Sequence, residues 1–82
     1  MRRFHFYIDD TRCDEPRVLL VQARDERRAR EIAERMLTQS ADHTGVEVCE
    51  NGVRLFGLGS MARRTWCERD GAPEPERIAG WG

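Results

Sequence analysis

Residues 25–40, DERRAREIAERMLTQS, decide the fold. Ala29, Ile32, Ala33, Met36 and Leu37 recur at the spacing that lines one side of an α-helix. Asp25 stands where a side-chain oxygen can take up a backbone N–H at the helix start, and its charge suits the positive end of the helix dipole. Arg27–Glu31, Arg30–Glu34 and Glu31–Arg35 lie four apart on the outer side. Each such pair contributes only about 0.2–0.5 kcal/mol, so the apolar stripe, not the charge lacing, must hold the helix. A helix with one such stripe has to lie on another layer, and the flanking sequence offers strands.

Before the helix, residues 3–9, RFHFYID, alternate strictly: Phe4, Phe6 and Ile8 on one side, Arg3, His5, Tyr7 and Asp9 on the other. DTRCDEP is polar turn material closed by Pro16. Residues 17–23, RVLLVQA, form a second strand whose pattern leaves open which side is buried, because Val18 and Leu20 compete with Leu19 and Val21. After the helix comes VEVCENGVRLF. Its Asn51-Gly52 pair between two β-like runs predicts a two-residue hairpin. Simple pairing sets Val48 opposite Leu55 and Glu47 opposite Phe56. Val46, Val48, Val53 and Leu55 then face the core, and Glu47, Cys49, Arg54 and Phe56 face away.

The expected fold is therefore α+β: ββαββ over residues 1–58, a four-stranded antiparallel sheet in the order 2-1-3-4 with one helix on one face. Residues 59–82 read as a C-terminal extension. Ser60 could cap a short helix to about Arg69, and APEPE reads as a linker. Such a tail reads first as frayed, and Trp66, Ile78 and Trp81 keep open the alternative that it docks on the sheet.

Eighty-two residues with 39% apolar and 35% charged side chains suit one small globular domain. The formal net charge of −1 points neither to nucleic acid nor to anionic membrane, and all 14 basic residues are arginine. No apolar run approaches the roughly 20 residues of a spanning helix. The start of the chain lacks the apolar core of a signal peptide, so a bacterial cytoplasmic location is expected. Cys13, Cys49 and Cys67, odd in number and far apart, are expected as free thiols there.

One helix shelters one face of a sheet. The other face would carry His5, Tyr7, Cys49, Arg54 and Phe56, with Trp66 from the tail nearby. That set is too apolar for water and is the candidate interface. The tail, a second copy or another protein could cover it, and self-association is the commonest solution. The expected function is a small protein-interaction module forming a homodimer through that face or a sheet edge. The alternative is a nucleic-acid-associated regulator using Arg27 and Arg28 of the helix with Arg63 and Arg64 beside Trp66. Against it, Glu26, Glu31 and Glu34 interleave with the helical arginines, so no one-signed stripe forms.

The sequence offers little to catalysis. His43, Cys49, Cys67 and Cys13 lack paired metal-ligand spacing, so no metal is expected. Cys49 with a histidine lacks an orienting third group. GLGS at 57–60 lacks the rest of a phosphate-loop fingerprint and reads as an exit from the sheet. Neither a cofactor nor an enzymatic activity is expected.

RFHFYIDD, the AREIAERML core of the helix and the hairpin VEVCENGVRLF together resemble a group of short bacterial ββαββ proteins of unknown function, over residues 1–58. The first loop, DTRCDEP, departs from that pattern in lacking a glycine. The resemblance implies a small cytoplasmic domain with no catalytic residues to transfer. In element order alone the chain is similar to antitoxin-type domains of bacterial toxin–antitoxin pairs, an analogy of fold that does not carry function.

Overall fold

The computed structural model describes residues 1–67 and the backbone of Arg77–Gly80. The chain runs β1 (Arg2–Asp10), β2 (Arg17–Ala23), α1 (Glu26–Gln39), β3 (His43–Glu50), β4 (Val53–Gly59), a single 3₁₀ turn (Ser60–Ala62) and β5 (Arg77–Gly80). The antiparallel core is β2-β1-β3-β4 with α1 on one face, the α+β arrangement expected from the order of elements. The sheet is larger by one strand: β5 lies parallel to β2 and makes the order β4-β3-β1-β2-β5. The short helix expected from Ser60 to about Arg69 is reduced to the 3₁₀ turn, and the chain is irregular from there to Cys67. Residues 68 and 69 lie outside the described residues.

α1 begins where Asp25 accepts the Arg28 N–H at 2.9 Å. At its other end no glycine turns the chain. Instead His43 donates from Nδ1 to the Met36 carbonyl at 2.8 Å, satisfying one of the acceptors a helix leaves open. Ala29, Ile32, Ala33 and Met36 are buried against Phe4, Phe6, Leu19, Val21, Val46 and Val48 from the three central strands. The ambiguity of β2 is resolved by its register: Phe4 opposes Val21 and Phe6 opposes Leu19, which sends Leu19 and Val21 to the helix side and Val18 to the other.

The β3–β4 hairpin turns at Asn51 and Gly52, both at positive φ (53° and 78°). Its register departs from simple pairing. Cys49 opposes Arg54 but Val48 opposes Phe56, so Leu55 is an extra residue in β4, a β-bulge. The bulge reverses the alternation beyond it. Phe56, expected on the face away from the helix, lies on the helix side with Leu55 and Leu58, and Arg30 of α1 covers its ring at 5.2 Å. Val53, expected in the core, sits beside the turn and is 61% exposed. Among the described residues no helix is long and apolar enough to cross a membrane.

Because Ile32 is buried among both strand and helix side chains, Ile32→Val should cost about 0.5–1.5 kcal/mol in urea unfolding. Glu34→Ala, on the exposed side of the same helix, should stay within about 0.5 kcal/mol of the parent.

Candidate functional site

The chemistry of this chain gathers on the face away from α1. Pairing across β1, β3 and β4 places Tyr7, Glu47 and Gly57 in one row and His5, Cys49 and Arg54 in the next. Residues Ser60–Cys67 fold back over these rows as a strap, with Met61 and Cys67 buried against Tyr7, Val18 and Cys49, and Trp66 packed on the same cluster. Gly57 permits the approach, since a Cβ there would collide with the Met61 carbonyl. Gly59, at φ 59°, ψ −131°, makes the reversal that starts the strap. The GLGS exit from the sheet is thus built for a close return.

Glu47 holds the strap down. It is 0% exposed, and its Oε1 accepts the Trp66 N–H at 2.8 Å and the Cys67 N–H at 3.0 Å. Arg54 approaches Glu47 Oε2 through Nε at 3.5 Å. The same guanidinium donates to the carbonyls of Met61 (2.9 Å), Ala62 (3.2 Å) and Arg64 (3.2 Å). One strand residue therefore takes the strap's N–H groups, and its neighbour across the hairpin takes the strap's carbonyls. Glu47 Oε2 is left without a hydrogen bond, the only such buried side-chain oxygen or nitrogen among the described residues. At its start the strap is anchored by Ser60, whose Oγ donates to Asp9 Oδ2 at 2.7 Å, with Arg64 Nη1 3.4 Å from that same oxygen.

Burial, followed by the neighbouring Cys67, pushes the Cys49 thiol well above its ordinary range. Burial likewise raises Tyr7, reinforced by Cys49, Cys67 and Glu47. A thiol held protonated in this way is the opposite of an activated nucleophile. His43 is engaged at the far end of β3, with Nε2 3.7 Å from Asp10 Oδ2. No three His, Cys, Asp or Glu side chains among the described residues gather so as to hold a metal ion.

Of the six expected interface residues, His5, Tyr7, Cys49 and Arg54 share the far face, Trp66 lies over it on the strap, and Phe56 is on the opposite side. The four arginines of the nucleic-acid alternative are not brought together. Arg27 and Arg28 belong to α1, within 3.9 and 3.1 Å of Glu31, whereas Arg63 and Arg64 ride on the strap across the sheet. Glu47, Met61 and Cys67 were not among the expected interface residues. The available signal was Glu47 itself, a carboxylate flanked by valines in a strand.

A second polar cluster fixes the first loop. Asp10, 1% exposed, accepts the Arg12 backbone N–H at 2.9 Å and the Arg12 guanidinium at 3.0 Å (Nε) and 2.7 Å (Nη2). The Arg12 side chain first, then its N–H, hold the Asp10 carboxyl well below the usual carboxylate range despite burial.

The fold and this face define a small α+β domain whose sheet is covered by a helix on one side and by its own strap on the other. No protein-family model matches the chain, and comparison with curated proteins and with solved structures gave no match.

Two outcomes test this geometry. Glu47→Ala leaves the Trp66 and Cys67 N–H groups without their acceptor and Arg54 without its counter-ion. It should cost on the order of 3 kcal/mol, with hydrogen exchange at those two amides accelerated far beyond that in α1. The lowered Asp10 carboxyl stabilises the fold fully above the ordinary Asp range, roughly pH 4, and that stabilisation drains away as pH falls through it toward the depressed folded-state value. Asp10→Asn should accordingly lower stability at neutral pH and flatten the fall in urea midpoint on acidification.

Proposed function

We propose that this chain is a small, non-catalytic interaction module of the bacterial cytoplasm that pairs with a second copy of itself along the open edge of β4. The strap already occupies much of the face away from the helix, which directs the reading to the sheet edge. The observation that carries it is the character of β4, VRLFGLG. Among the described residues no strand pairs with its outer side. Edge strands are normally blunted with lysine, proline or outward charge. β4 has neither lysine nor proline, and its one charge, Arg54, is turned to the strap carbonyls. Val53 is exposed, and Leu55, Phe56 and Leu58 are only half-buried.

The bulge at Leu55 blunts part of this edge, but Phe56–Gly59 keep regular register with β3. An antiparallel β4–β4 pairing about a two-fold axis would use the same residues from each copy and bring the half-buried Phe56 and Leu58 of both together. The odd cysteine count and the soluble balance of charge support the cytoplasmic placement.

Sedimentation equilibrium across the micromolar to millimolar range should give a mass approaching twice the 9.5 kDa of the chain. Val53→Lys, which sets a charge at the exposed start of that edge, should shift the equilibrium toward single chains without changing the far-ultraviolet circular dichroism. A single-chain mass for the parent protein throughout the range would end this reading.

A further inference from the structure

Cys49 and Cys67 are separated by a hairpin strand and the whole strap, yet they meet in one buried cluster within hydrogen-bonding reach of each other. One belongs to the sheet, held between β1 and β4, and the other to the strap that lies on it. Cys13, in the exposed first loop, belongs to no such cluster.

We propose that Cys49 and Cys67 are a redox pair whose disulfide staples the strap to the sheet, with low-molecular-weight disulfides of the oxidised-glutathione class as the oxidant. The exchange balances. The Cys67 thiolate attacks one sulfur of the small disulfide, forming a mixed disulfide and releasing one small thiol. The Cys49 thiolate then attacks Sγ of Cys67 and releases the second small thiol. The two cysteines lose two electrons in forming their bond, the small disulfide gains them, and the two cysteine protons end on the released thiols. The two side chains share one buried cluster, and forming the bond brings their sulfurs to about 2 Å.

The surroundings set the rate. Both thiols are buried and burial holds Cys49 protonated, so the pair is shielded until the strap lifts. Beyond apolar packing, lifting breaks the two N–H bonds to Glu47 and the carbonyl bonds to Arg54. In the dithiol state the strap is thus held by reversible contacts and can open. In the disulfide state the same contacts are locked by a covalent link that closes residues 49–67 into a loop. This device is independent of the β4 edge and of how many chains associate.

The test uses the full 82-residue chain carrying Cys13→Ser, incubated natively with oxidised glutathione, quenched with acid, alkylated under denaturing conditions and digested with trypsin. Cleavage at arginine places Cys49 in peptide 36–54 and Cys67 in peptide 65–69. The expected result is a disulfide-linked pair of these peptides from single chains, abolished by dithiothreitol, with slowed hydrogen exchange along residues 60–67. The parent chain, in which exposed Cys13 takes up glutathione, confirms that the oxidant is active. Recovery of Cys49 and Cys67 both alkylated, a stable glutathione adduct on Cys67 with Cys49 alkylated, or linkage only between chains would each overturn the proposal.

Discussion

A carboxylate with no access to water, set in the middle of a strand, must be met by donors from the protein itself. Glu47 imposes that demand on this chain. Its side chain leaves the sheet on the face that α1 does not cover, so the donors have to arrive from elsewhere, and they come as the consecutive N–H groups of Trp66 and Cys67. Everything about the strap follows from that meeting. Gly57 clears the path, Gly59 turns the chain, Met61 fills the space beside Tyr7, and Arg54 collects the carbonyls that an irregular segment would otherwise leave open. An ion pair in such a setting adds little net stability over apolar packing, but it tolerates few alternative arrangements. Here the arrangement it selects brings an otherwise unstructured run of chain to one place on the sheet.

The two faces are consequently covered by different means. The helix side is a conventional apolar core in which Phe4, Phe6, Val46 and Val48 meet Ala29, Ile32, Ala33 and Met36. The strap side is a smaller cluster with polar anchors at the end of the strap, where Glu47 holds Trp66 and Cys67, and at its start, where Ser60 reaches Asp9. The bulge at Leu55 divides the work between them within a single strand. It keeps Arg54 on the strap side and turns Phe56 and Leu58 toward the helix. A strand without that extra residue would put Phe56 where the strap runs.

The helix, the four antiparallel strands, their order and the Asn51-Gly52 turn were legible because each rests on a local periodicity or on a turn chemistry confined to a few residues. The bulge was not, because nothing in VRLFGLG marks which residue is extra. The alternation of Val53, Leu55 and Phe56 is compatible with either register, and the choice is made by contacts with α1 far away in sequence. β5 was equally hidden, since its pairing with β2 joins segments more than fifty residues apart. Of the candidate site, His5, Tyr7, Cys49 and Arg54 could be placed on one face by counting along strands. Glu47 and Cys67 could not be joined by counting, for their contact depends on a segment with no period of its own.

β5 also changes how far assembly could extend. Growth of a sheet from one molecule to the next needs an adhesive margin at both sides, as in a fibre. Among the described residues, β5 lies along the seven-residue β2 and presents four residues at that margin, Arg77–Gly80, a length that offers a newcomer few backbone partners. The described sheet is therefore lopsided, with a seven-residue margin at β4 and a four-residue one at β5. Under the proposed β4 pairing, such a block would be complete once two had met, a finite pair and not an endless ribbon.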